Sequence, residues 1–387
     1  MITLFAHMDK TQRMTLIAAF ATVTTVVVSI GFTFLLLTLI LEARGTSETV
    51  IGLNAAMAPL GIICAGPLIP LLAKRFGNLP IAMASALLVA GSILALKALP
   101  QIEWWFFLRF LMGVGDGILF ALSESWIVRS AEGPSRGRIM ALYACVVSIG
   151  FSIGSFTIPH MGIEGWFPFV FCAGIVAIAC LPLVFVKLED MDSTSGSHLG
   201  FFSFIRLAPV LLTGIFVFAC LDASTMALLP VFSLQHGLGM TEASYLLGVL
   251  IIGNAFLQFP IGWLADHYEK LRLLAICAAF TVAASLVLPH VINSALKWPV
   301  VVILGASGFG IYTIGLAVLG ERFKGASVVA GSSAFAAMWG FGGLVAPPIA
   351  GVSMQNFGPN GLPYFIAVLF AGYFCMLIWA VATKRRA

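Results

Sequence analysis

Twelve stretches of about twenty or more mostly apolar residues follow one another along this chain, separated by short polar breaks. A helix rising 1.5 Å per residue needs about 20 residues to cross a hydrocarbon core about 30 Å thick, so each stretch is long enough for one membrane crossing. The expected spans are 14–41, 49–73, 79–99, 104–128, 138–159 and 165–186, then 207–232, 241–265, 271–291, 298–320, 327–352 and 363–383. Composition enters as a consistency test. Only 9% of the residues are charged and 60% are hydrophobic, whereas a soluble domain carries about 25% charge. A water-facing surface could not be covered, and the fold class expected is an all-α membrane protein.

Lys and Arg set the orientation. Sixteen of the 20 lie in segments on the side of the N-terminus, Arg44, Lys97 and Lys297 lie opposite, and Arg109 falls within a span. By the positive-inside rule both termini are cytoplasmic, which an even number of spans requires. The longest polar stretch between spans, 187–206, sits at the middle of the chain and divides it into residues 1–186, a cytoplasmic linker and residues 207–387. The two parts share landmarks. Pro70 and Gly262, Gly113 and Gly305, and Gly150 and Gly342 are all separated by the same offset of 192 (262 less 70, 305 less 113, 342 less 150), as an internal duplication would produce.

Other classes are excluded by what the chain lacks. A net charge of +4 with dispersed basic residues gives no footprint for nucleic acid. The seven cysteines fall inside apolar runs without CxxC or metal spacing and read as small core hydrophobes. Neither cofactor nor metal is expected. The first apolar run is too long for a signal-peptide core, and the absence of an N-x-[ST] sequon favours a bacterial inner membrane.

The loop between the eighth and ninth spans, Gly262-Trp263-Leu264-Ala265-Asp266-His267-Tyr268-Glu269-Lys270, resembles the G-x-L-x-D-R-x-G-R loop of the major facilitator superfamily. Its first-half copy, Pro70 to Asn78, keeps Arg75 and Gly77 but has Lys74 at the Asp position. The fourth span carries Arg109-x-x-x-Gly113-x-Gly115, similar to the pattern of proton-coupled members, and Gly150-x-x-x-Gly154 with Gly342-Gly343, Pro347-Pro348 and Gly351 is similar to the antiporter motif, although no Pro follows Gly154. The resemblance implies a twelve-helix fold of two six-helix halves related by pseudo-twofold symmetry. It implies a secondary transporter for a small molecule, working with protons as a monomer in the lipid bilayer. Asp266, Arg75, Lys74 and Gly262 would form a conformational gate at the cytoplasmic ends of the helices. Spans one, four, seven and ten would line a central cavity.

Four ionisable residues lie well inside spans: Arg109, Asp116 and Glu124 in the fourth and Asp222 in the seventh. Such groups cost about 2.5 to 3.5 kcal/mol or more in lipid and commonly mark substrate or ion pathways. At 100° per residue, Asp116 lies about 20° and Glu124 about 60° from Arg109, so one helix face holds all three, and Arg109 is placed to hold ionised Asp116. The plain alternative is that they only fix helix packing. Asn54, the i,i+4 pair Asn254 and Gln258, Tyr312 with Thr313, and Thr25 with Ser29 are further cavity-wall candidates, against which interhelical hydrogen bonding is the ordinary role. The function expected is proton-coupled efflux by antiport. The alternatives are proton-coupled uptake of a small organic anion or nutrient, and a membrane sensor that no longer transports. No HExxH or GxSxG supports an enzyme.

The charge asymmetry makes a topological prediction. A single cysteine at Ser195, on a background without native cysteines, should resist a membrane-impermeant thiol reagent in intact cells and react after lysis. Labelling in intact cells would reverse the orientation.

Overall fold

The computed structural model describes residues 10–130, 136–184, 208–322 and 326–383; the expected linker at 187–206 and the basic cluster at 384–386 lie outside them. Thirteen helices occupy the described residues: α1 Lys10–Ala43, α2 Glu48–Ala65, α3 Leu68–Phe76, α4 Asn78–Ala98, α5 Ile102–Ser130, α6 Arg136–Met161 and α7 Phe167–Val184, then α8 Pro209–Gln235, α9 Met240–His267, α10 Lys270–Val291, α11 Lys297–Arg322, α12 Ala326–Phe357 and α13 Gly361–Ala382. Ten are long and apolar enough to cross a bilayer by themselves; in α6 and α7 the apolar stretches are shorter, Cys145–Met161 and Phe167–Leu183.

Thirteen helices serve twelve crossings because the expected second span, 49–73, is broken. Pro67 has no N–H to bond the carbonyl of Ile63; the N–H of Gly66 turns back to that carbonyl instead, at 3.3 Å. The chain resumes as α3, none of whose residues is buried. The matching positions of the second half are Gln258 and Phe259, and there α9 runs on without a break to His267. Gly77 then joins α3 to α4 at φ 80°, a conformation that a side chain would strain.

The chain forms two compact units. Residues 1–37 and 57–194 make one; residues 38–56 and 195–387 make the other. In the second, α8 packs against α9, α11, α12 and α13, and α10 packs against α11 and α13. The turn joining α1 to α2 belongs to this second unit: Gln235 at the end of α8 donates to Glu48 at 2.7 Å and to Glu42 at 3.3 Å. Gly52 lies against the carbonyl of Pro347, and Gly351 against the backbone of Glu48.

Two helices are enclosed. In α1 and α8, 89% of the most apolar stretch is buried, against 28% in α9 and 33% in α13. A helix in contact with lipid keeps one face uncovered, and α1 and α8 keep almost none. Hydroxyls on α1 are satisfied within the helix, with Thr22, Thr24, Thr25 and Thr33 each donating to the carbonyl four residues earlier.

Close approach depends on glycine at equivalent places. Gly150 of α6 meets Val27 of α1, and Gly342 of α12 meets Ala219 of α8. Gly113 of α5 meets Ala58 of α2, and Gly305 of α11 meets Leu250 of α9. The partners keep the offset of the glycines themselves (219 less 27 and 250 less 58, both 192). The duplication is therefore a duplication of helix contacts. The cysteines differ from expectation: all seven are free, but Cys64, Cys145 and Cys375 are exposed rather than in the core, since an apolar helix face turned to lipid suits a small hydrophobe equally well.

A side chain at these crossings would meet backbone. Gly154→Val in α6, whose new Cβ would lie 2.7 Å from Phe32 Cα, and Gly342→Val should each destabilise the protein by about 1–3 kcal/mol. Gly174→Ala and Gly372→Ala, with nothing within 4 Å, should change stability by no more than about 1 kcal/mol. Thermal unfolding in detergent reads the contrast, and equal melting of the two pairs would rule out close approach as the reason for the glycines.

Candidate functional site

In the first unit, Arg109 and Asp116 of α5 turn towards α1. Arg109 is 2% exposed and its guanidinium stacks 4.2 Å from the ring centroid of Phe34. A planar cation over an aromatic face gains roughly 0.5 to 2 kcal/mol, more as water is excluded. Asp116 is also 2% exposed. Its hydrogen-bond partner is Ser29 of α1, whose hydroxyl donates to Oδ2 at 3.2 Å, rather than Arg109 two turns away on its own helix. This corrects the expected pairing. The two residues share a helix face, but five positions on α1, Ser29 to Phe34, separate what they touch. They are enclosed within the unit, not spread on an open wall. Oδ1 of Asp116 is buried with no hydrogen-bond partner among the described residues. Glu124 lies on the surface, where Tyr143 of α6 hydrogen-bonds it. Thr25 is buried and contacts Cys180 Sγ at 3.2 Å.

In the second unit, Asp222 sits half-buried near the middle of α8. The indole Nε1–H of Trp339 on α12 donates to its Oδ2 at 3.0 Å, and each of the two residues has a phenylalanine one turn earlier on its helix. Phe218 is one turn earlier on α8 and Phe335 one turn earlier than Trp339 on α12. Tyr312 of α11 lies between them, 5.0 Å from Phe218 and 6.3 Å from Phe335 between ring centroids. A carboxylate with aromatic faces one turn away is an arrangement that attracts organic cations. The same unit holds an amide chain: Gln258 donates to Asn254 on the same helix and accepts from Thr313 of α11. The i,i+4 pair is thus hydrogen-bonded and reaches across to the neighbour of Tyr312. Asn54, by contrast, is wholly buried.

The expected gate residues lie at helix ends. Asp266 is exposed and makes no ion pair among the described residues; the bridges at this end are Lys270 to Glu321, 2.7 Å, between α10 and α11, and Arg272 to Glu269, 2.6 Å. Gly262 meets nothing within 4 Å. In the first-half copy, Lys74 and Arg75 are exposed and Arg75 stacks 5.2 Å from the ring of Phe76.

Sequence reasoning missed Phe34, Trp339 and the aromatic group around Tyr312. Aromatic residues are common in apolar spans, so their composition carries no signal. The spacing of Phe218 to Asp222 and of Phe335 to Trp339 was legible as i,i+4 pairs, but not which helices adjoin.

This fold and this distribution of buried polar groups define a polytopic transporter. Residues 16–331 match the Major Facilitator Superfamily, and the chain belongs to that family. It is 24% identical to the uncharacterized MFS-type transporter YfkF of Bacillus subtilis, over 90% of each chain. It is 26% identical to the uncharacterized MFS-type transporter YcaD of Salmonella newport, over 79% of this chain and 80% of that one. Among solved structures its fold resembles the nucleoside transporter NupG (TM-score 0.75, 12% identity, 98% and 100% covered) and a D-xylose-proton symporter (TM-score 0.68, 17% identity, 96% of each covered).

The stacking of Arg109 is open to test. Phe34→Leu should lower thermal stability by about 0.5–2 kcal/mol, and Phe34→Tyr, which keeps the ring face, should not. Equal losses in the two variants would remove the cation–π contact as the cause.

Proposed function

We infer that the protein is a proton-coupled secondary transporter working by alternating access, with an aromatic or amphipathic organic cation as substrate, exported in exchange for protons. The observation that carries this reading is the half-buried Asp222 carboxylate, joined to Trp339, with Phe218 one turn earlier on its own helix and the ring of Tyr312 packed between Phe218 and Phe335. A carboxylate there has two ligands to choose between, a proton and a cationic substrate, and antiport follows when they compete. Asp116 supplies a second acid. Its oxygen without a partner is the place for a proton, because a carboxyl that changes surroundings between transporter states changes its proton affinity. Asp266 would act as a gate charge in the state where helix ends close over it.

A second reading, proton-coupled uptake of a neutral hydrogen-bonding solute, draws on the Asn254, Gln258 and Thr313 chain. The similar folds named above include a nucleoside transporter and a D-xylose-proton symporter. Reconstitution in proteoliposomes with a pH-sensitive dye in the lumen separates the two. Aromatic quaternary cations should move protons opposite to themselves in the first case, and sugars or nucleosides should carry protons with them in the second.

Asp222→Asn and Asp116→Asn should each abolish accumulation against a gradient, and at least one should retain downhill exchange. Glu124→Gln should be milder, since Glu124 is on the surface, and Arg109→Lys should impair coupling because Lys loses the planar guanidinium. Uphill transport at the native rate in both neutral acid variants would remove these acids as the coupling site.

A further inference from the structure

Among the described residues, the carboxylate of Asp222 has one hydrogen-bond partner, the indole of Trp339. We propose that Trp339 is a positioning residue for proton binding at Asp222: it occupies Oδ2 and directs the proton to Oδ1. The proposal rests on the reading of Asp222 as a coupling acid and deepens it.

An indole N–H can only donate. A carboxyl protonated on Oδ2 would set its own O–H against that donor, whereas a proton on Oδ1 leaves the N–H···Oδ2 bond in place. The bond is also stronger to the ionised carboxylate than to the neutral acid, so Trp339 favours release of the proton as well as its placement. Both members are held by their backbones. Gly342, three residues beyond Trp339, brings α12 against α8 at Ala219, three residues before Asp222; a Cβ on Gly342 would lie 2.6 Å from Ala219 Cβ. Next to this crossing the rings of Phe216 and Phe341 pack at 5.7 Å between centroids. The close crossing therefore fixes the distance from which the indole reaches Asp222.

Charged groups on the helices packed against α8 are remote from Asp222 along their helices. Glu42 ends α1; Glu242 and Asp266 with His267 lie at the two ends of α9; Lys297 and Glu321 with Arg322 lie at those of α11; α12 and α13 carry no charge among the described residues. The titratable side chains within these helices are Tyr245, Tyr312, Tyr364 and Tyr373, and the thiols Cys220 and Cys375. Tyr373 reaches α8 at Gly214, two turns before Asp222. Tyrosines ordinarily titrate near 10 and thiols near 8.5, so in the range where a carboxyl exchanges protons the indole is the polar side chain that acts on it directly.

The test uses the full-length protein in lipid. Infrared difference spectra against pH should contain a protonated-carboxyl band that Asp222→Asn removes. Trp339→Phe keeps the ring and loses the donor, and it should move the midpoint of that band upward by roughly one pH unit, a tenfold gain in proton affinity, as expected on losing a hydrogen bond to the charged form. In the unaltered protein, the ultraviolet resonance Raman band sensitive to indole N–H bonding should titrate with the same midpoint, a readout that does not depend on Trp339→Phe folding. An unmoved carboxyl midpoint in folded Trp339→Phe, or an indole band that does not follow the carboxyl, overturns the role of Trp339. Uphill transport by Asp222→Asn would instead overturn the coupling assignment, with the shared titration left intact.

Discussion

Close contact between helix backbones at glycine is what the rest of this structure depends on. In lipid the apolar surface of a helix gains nothing by hiding from its surroundings, so association rests on dispersion and on how near two helices can come. At Gly31, Gly113, Gly154 and Gly342 a single added carbon would collide with a neighbouring helix. Those at Gly31, Gly154 and Gly342 hold neighbours close against α1 and α8, the helices that carry Ser29 and Asp222. The sites follow from the crossings.

The scaffold is duplicated, and the polar groups set on it are not. The glycine contacts of α1 with α6 recur between α8 and α12, and those of α2 with α5 recur between α9 and α11, at one common offset. The residues 192 positions after Arg109, Asp116 and Glu124 are Val301, Gly308 and Leu316; those 192 before Asp222 and Trp339 are Ile30 and Val147. Packing tolerates few alternatives at a backbone crossing, so both copies retained it. A buried charge is costly wherever it is not used, so each half carries acids only at its own places.

The two buried acids stand in different surroundings. Asp116 is enclosed, with one hydroxyl for a partner, whereas Asp222 is half-buried, with an indole donor and the ring of Phe218 one turn earlier on its helix. A group closed off from its surroundings can change its charge only when the helices around it move; a half-buried group can exchange a proton or meet a cation as it stands. In the function proposed above, that difference divides the labour between storing a charge and recognising a ligand.

Much of the architecture was legible in the sequence because the bilayer imposes a length on every apolar run and glycine repeats at a fixed offset record a duplication. Span positions, the intramembrane acids and the i,i+4 link of Asn254 with Gln258 all depend on spacing along one helix, which sequence states directly. The break at Gly66-Pro67 depends on one missing N–H and was hidden inside an unbroken apolar run. Only the tertiary structure decided that Asp116 bonds Ser29 rather than Arg109, that Phe34 covers the guanidinium, and that Trp339 reaches Asp222 from 117 residues away. These are contacts between helices, set by which faces approach and how closely, and a periodicity of 3.6 residues gives the face of each helix without naming its neighbour.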